Sequence, residues 1–162
     1  MKKINVTYVC AAAEEYPGCA DLLYSYSEVN VVAWMTSLGQ MACRMALANS
    51  DVLVLDESVL TRDGLQAVQL AHTNFPGLKI LLVCEQEFHI NMVQYLSIGV
   101  RGLVERGSCI SLLRRAIPAL YAGEVWIPRG LVQSLRKHTS VRHERLSWGV
   151  HPSMLPGRGR IN

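Results

Sequence analysis

A three-layer α/β sandwich built on a parallel sheet is the fold class this sequence predicts, and three observations carry that expectation. Short apolar runs of strand length alternate five times with stretches of helical period. The central runs are continuously apolar, as strands buried on both faces must be. The third run, Val52-Leu53-Val54-Leu55, closes on a carboxylate, Asp56, at the sheet end where open α/β folds place their chemistry.

Taken in order, Ile4–Cys10 alternates and then becomes apolar, and Val29–Met35 is β-branched and aromatic. Val52–Asp56, Lys79–Cys84 and Gly102–Glu105 complete the five strand candidates. The first helix candidate is Ala20–Tyr26. The second, Gly39–Ala48, aligns Met41, Met45 and Ala48 on one stripe. In the third, Gly64–Asn74, the stripe is Leu65, Val68 and Ala71, and Phe75-Pro76-Gly77 supplies the stop. Ile90–Ser97 and Cys109–Tyr121 are the last two, the latter ending at Gly123. Pro17 near the first helix and Pro118 inside the last run against the pattern, because proline lacks a donor and crowds the preceding turn. Gly123–Pro128 closes the domain, so the organisation is one domain over 1–132 and a basic, poorly ordered tail over 133–162.

The 162 residues carry a net charge of +3, unevenly spread. Six Lys or Arg face one acid beyond residue 132, a net of +5, which leaves −2 for the body. Half the residues are hydrophobic and 18% are charged, ordinary for a packed domain. No run approaches the ~18–20 apolar residues that span a bilayer, and no secretory signal precedes the first strand. The expectation is a cytoplasmic chain without a membrane partner. The five cysteines (Cys10, Cys19, Cys43, Cys84, Cys109) lack metal or redox spacing and read as reduced thiols.

Four segments, Asp51–Leu65, Phe75–Cys84, Ser97–Gly107 and Ala122–Leu131, with the motifs DVLVLD…DGL, FPGLKILLV, GVRGLVERGS and AGEVWIPRGLV, together resemble the receiver domain of a NarL/LuxR-type bacterial response regulator. The family pattern runs without a gap from residue 4 to about 132. The resemblance implies a flavodoxin-like (βα)5 fold with strand order 2-1-3-4-5. It also implies a phospho-acceptor at Asp56, an acidic pair for Mg²⁺ after the first strand, a hydroxyl ending the fourth strand and a lysine ending the fifth. Phosphoryl transfer asks for such groups, because charge on the equatorial oxygens needs a metal and preorganised donors.

At most of those positions the residues differ. The acidic pair falls on Cys10 and Ala11, the hydroxyl on Cys84, the lysine on Arg106 and the aromatic switch on Leu103. Val59-Leu60 stand where Met-Pro is usual, and only Asp56 matches. Glu14 and Glu15 are weak substitutes as metal ligands; acids near a helix start also favour the dipole's positive end. The implied protein is therefore an atypical receiver, a pseudo-receiver with Asp56 held by Arg106. It would work in signal transduction or transcription regulation by binding a protein partner or a second copy of itself through the face of its last helix and strand. It would not be an enzyme and would hold no cofactor. Two alternatives stay open: a phosphorelay receiver that takes a phosphoryl group on Asp56 from a histidine kinase with Mg²⁺, and a DNA-binding regulator acting through the basic tail.

Other constellations carry less. Cys10, Asp56 and Cys84 all map to carboxyl ends of strands, but the two sulfurs are expected too far apart to share a soft metal. His72, His89, His138, His143 and His151 are scattered, and no nucleophile elbow, P-loop or dinucleotide fingerprint appears. Tyr8, Trp34 and Trp126 read as core or interface residues. Val141–Leu146 only faintly resembles the start of a helix-turn-helix domain, and the ~25 residues after Lys137 are too few for one.

Overall fold

The computed structural model describes residues 2–11, 18–39, 41–85, 92–129 and 132. Expectations resting on Glu14, Glu15, Pro17, His89 and the segment 133–162 lie outside these residues. Strands β1 (Ile4–Val9), β2 (Val29–Met35), β3 (Val52–Asp56), β4 (Lys79–Cys84) and β5 (Val100–Glu105) form one sheet in the order β2-β1-β3-β4-β5. All four pairings are parallel. Helices α1 (Gly18–Ser25), α2 (Met41–Ala48), α3 (Glu57–Asn74), α4 (Met92–Ser97) and α5 (Cys109–Tyr121) alternate with the strands, and a 3-10 turn at Arg106–Ser108 leads into α5. This is the flavodoxin-like receiver architecture.

Period-two alternation divides the core into two layers. Leu53, Leu55, Ile80, Leu82 and Cys84 face α2, α3 and α4, where they meet Leu47, Val68, Ala71 and Tyr95. Val52, Val54, Leu81, Val83, Tyr8 and Cys10 face α1 and α5, where they meet Leu23, Leu113, Ala116, Ile117 and Leu120. β3 is buried along its whole length, as its central position demands. The outer edge of β5 is covered: Leu103 donates to the Trp126 carbonyl at 2.8 Å and Trp126 donates to the Arg101 carbonyl at 3.0 Å. Gly102 has no room for a side chain there, since a Cβ would lie 2.5 Å from Leu81 Cδ1. Trp126 and Tyr8 are buried, whereas Trp34 is half-buried and meets Tyr8 edge-on at 5.5 Å.

Two local expectations are corrected and one tension in the sequence is resolved. The Met45 and Ala48 side of α2 faces away from the sheet, with Met45 70% exposed, and Ala46 and Leu47 turn inward instead. Met-Ala-Cys-Arg-Met-Ala-Leu-Ala is apolar nearly all round, so its periodicity selects no single face. Helical backbone also begins at Glu57 rather than Gly64: Asp56 caps it by accepting from the Ser58 amide at 2.9 Å, and no proline interrupts 57–63. The expected helix start at Gly64 is instead a kink within α3, φ 76°, ψ 166°, a backbone region left almost wholly to glycine. Finally, Pro118 sits inside α5 without ending it, because Leu113, Ala116, Ile117 and Leu120 are all fully buried against the sheet. That burial offsets the ~3 kcal/mol an interior proline costs.

Candidate functional site

Asp56 ends β3 with no solvent exposure, walled by β1 and β4 on either side. A buried carboxylate needs a cation and donors to stay charged. Arg106, the first residue after β5, provides the cation: its Nη2 donates to Asp56 Oδ1 at 2.9 Å and to Oδ2 at 3.0 Å. Oδ1 also receives the Ser58 amide. The second arm of the guanidinium, Nη1, donates to Glu85 Oε1, immediately beyond β4. One arginine thus ties together the carboxyl ends of β3, β4 and β5. Its side chain is 13% exposed, that of Asp56 1% and that of Glu85 65%, so the pair is screened on one side only.

Sequence reasoning missed the residues around this pair. Ser58 Oγ accepts the Ala11 amide at 3.2 Å and lies 3.8 Å from Cys10 Sγ. Glu57 accepts the Glu85 amide on Oε2 at 3.1 Å and the Tyr95 hydroxyl on Oε1 at 3.2 Å. Glu57 and Glu85 each directly follow a candidate strand-end residue, Asp56 and Cys84, and that adjacency was the available signal. Nothing in the sequence singles out Tyr95.

The remaining candidate positions are apolar or neutral. Cys84 is buried in the α2–α4 layer, where burial, and after it the Glu57 carboxylate, push its thiol well above the ordinary value of 9.0, with Arg106 pulling the other way. A thiol that keeps its proton is a poor metal ligand. Cys10 lies in the opposite layer, so the sheet itself separates the two sulfurs. Both are free and buried. Leu103 is fully buried on β5 and offers no polar atom to the pocket. Asp63 is structural, its Oδ2 accepting the Ser37 hydroxyl at 2.9 Å and the Leu38 amide at 2.7 Å, which pins α3 to the loop before α2.

A Mg²⁺ ion does not fit the described residues. Octahedral Mg²⁺ wants hard oxygen ligands. Cys10 and Ala11 bring no carboxylate, both oxygens of Asp56 point at Arg106, and Glu57 is engaged by Glu85 and Tyr95. No group of three His, Cys, Asp or Glu suited to a metal occurs among the described residues. Among them, too, no helix is long and apolar enough to cross a membrane.

The fold is the one that receiver domains have, and solved structures of receiver domains superpose on it. The isolated receiver domain of RcsB from Salmonella enterica serovar Typhimurium, in its apo form, aligns over 83% of this chain and 99% of its own with a TM-score of 0.71 at 22% identity. A LuxR-family two-component response regulator from Aurantimonas sp. SI85-9A1 aligns over 85% and 98% with a TM-score of 0.72 at 18% identity. The signal receiver domain of NarL from Mycobacterium tuberculosis aligns over 76% and 100% with a TM-score of 0.67 at 19% identity. These structural neighbours are receiver domains of LuxR/NarL-family response regulators, and at such identities the likeness is one of fold. No family model matches the sequence, and no curated protein matches it significantly.

Proposed function

We propose that this chain is a signal-transduction module of receiver fold whose acceptor pocket is filled by its own arginine, and that it acts by protein contact without phosphorylation. In this reading residues 1–132 form the module and the basic segment 133–162 follows it. The observation that carries the reading is Arg106 Nη2 bonded to both oxygens of the buried Asp56. A carboxylate attacking phosphorus needs a free lone pair and a metal beside it to neutralise the incoming phosphoryl group. Here the lone pairs face a guanidinium, and the metal positions carry Cys10 and Ala11. The pocket already has the neutralised charge balance that a cation would give it, so its surface stays in one state. The partner is a protein or a second copy of the chain, docked on the face of β5 and α5, and no catalysis is assigned.

Intact mass after incubation with acetyl phosphate and Mg²⁺ tests this, comparing wild type with Asp56→Ala. The expected result is no gain of a phosphoryl group in either protein. A gain in the wild type alone would sink the reading and make Asp56 a working acceptor.

A further inference from the structure

The polar contacts of the pocket continue past Asp56 to α4. Arg106 joins Asp56 to Glu85, the Glu85 amide donates to Glu57, and Glu57 receives the hydroxyl of Tyr95, which is 6% exposed on α4. We propose that the Tyr95–Glu57 hydrogen bond is a latch through which the arginine-clamped pocket sets the position of α4. This deepens the functional reading above and rests on it, since the clamp is the fixed end of the chain of contacts.

Four features give the latch its leverage. The described residues of α4 are Met92–Ser97, a stretch too short to hold itself without tertiary anchors. Of its described side chains only Tyr95 is buried, and Ile98 just beyond it is the next anchor. The segment also carries Val93, 60% exposed, so a shift of α4 moves an apolar side chain on the outer surface. Glu57 accepts from two different elements with its two oxygens, so the β4 end and α4 are held by one carboxylate. Disturbing either contact disturbs the other through a single side chain.

Hydrogen exchange on the full chain reads the latch directly. Tyr95→Phe removes one hydroxyl and is expected to speed amide exchange across Met92–Ser97 by about tenfold, as loss of one hydrogen bond gives, with α5 unchanged. Glu85→Ala, at an exposed site, cuts the Arg106–Glu85 arm and leaves the Asp56–Arg106 pair in place. It is expected to speed exchange over the same residues, and to add little when combined with Tyr95→Phe. Unchanged α4 exchange in Tyr95→Phe overturns the latch. No effect of Glu85→Ala, or effects that simply add, overturns its coupling to the pocket. Phosphoryl uptake by the wild type in the mass experiment would instead remove the functional reading, whatever the exchange data give.

Discussion

A carboxylate with no exposure and a guanidinium with little of it constrain each other unequally. Removing the cation leaves an uncompensated charge in the sheet, whereas removing both removes the desolvation cost along with the attraction. Arg106→Ala should therefore lower stability by about 3–5 kcal/mol, while Asp56→Leu combined with Arg106→Met should cost no more than the lost N-cap, about 0.5–2 kcal/mol. Urea unfolding of the three proteins decides between these outcomes. A mild effect of Arg106→Ala would mean that Asp56 is held by the Ser58 amide and water rather than by the arginine. At this scale the sequence was informative where one residue type replaces another at a fixed position. It therefore exposed Arg106 in place of lysine and Cys84 in place of a hydroxyl. It was silent on Tyr95 and nearly so on Glu57 and Glu85, because their pairing depends on how the loops beyond the strands turn, and no periodic pattern encodes that.

Among the elements, α3 departs most from what its sequence suggested, and the reason is local. Asp56 serves both as the pocket carboxylate and as the N-cap, so the helix begins at the pocket wall, and Glu57 and Ser58 are placed by its first turn. The kink at Gly64 then sets the direction of the remaining helix while Asp63 anchors it to Ser37 and Leu38. Gly64→Ala puts a Cβ into a conformation with φ 76° and ψ 166° and is expected to cost about 1–3 kcal/mol, even though nothing lies within 4 Å to clash with it. Thermal unfolding checks this. A neutral or stabilising result would mean that the two halves of α3 straighten into one helix without loss, and that the Asp63 anchor contributes little. The helix stripe that failed, Met45 and Ala48 on α2, failed for a different reason: a segment apolar on every face gives no phase. Leu65, Val68 and Ala71 on α3 were readable because the other side is mostly polar, with Gln66, Gln69 and Thr73 beside Leu70.

For the whole molecule, the fivefold alternation and the layering were the most readable features, since buried parallel strands show as uninterrupted apolar runs and helices as the segments between, whereas the strand order came from the receiver resemblance. The same sheet makes a global prediction through Cys84. Its thiol is held in the α2–α4 layer, and burial beside Glu57 raises its pKa above the ordinary value of 9.0. Above that pH the unfolded chain gives up the Cys84 proton while the folded chain keeps it, so the unfolded state binds fewer protons and stability falls as pH rises. The stabilising contribution is complete below the ordinary thiol range and is lost progressively as pH climbs toward the folded value. Cys84→Val keeps the site apolar and removes the titration. The stability advantage of wild type over this variant should shrink above pH 9.0 by up to about 1.4 kcal/mol per pH unit, while every other titrating group is common to both proteins. Denaturant midpoints at pH 7, 8, 9 and 10 measure that difference. A difference that stays level across the series would show that Cys84 ionises as readily folded as unfolded, and hence that water reaches the carboxyl end of β4. That would also weaken the case for Asp56, one strand away, being sealed beneath Arg106.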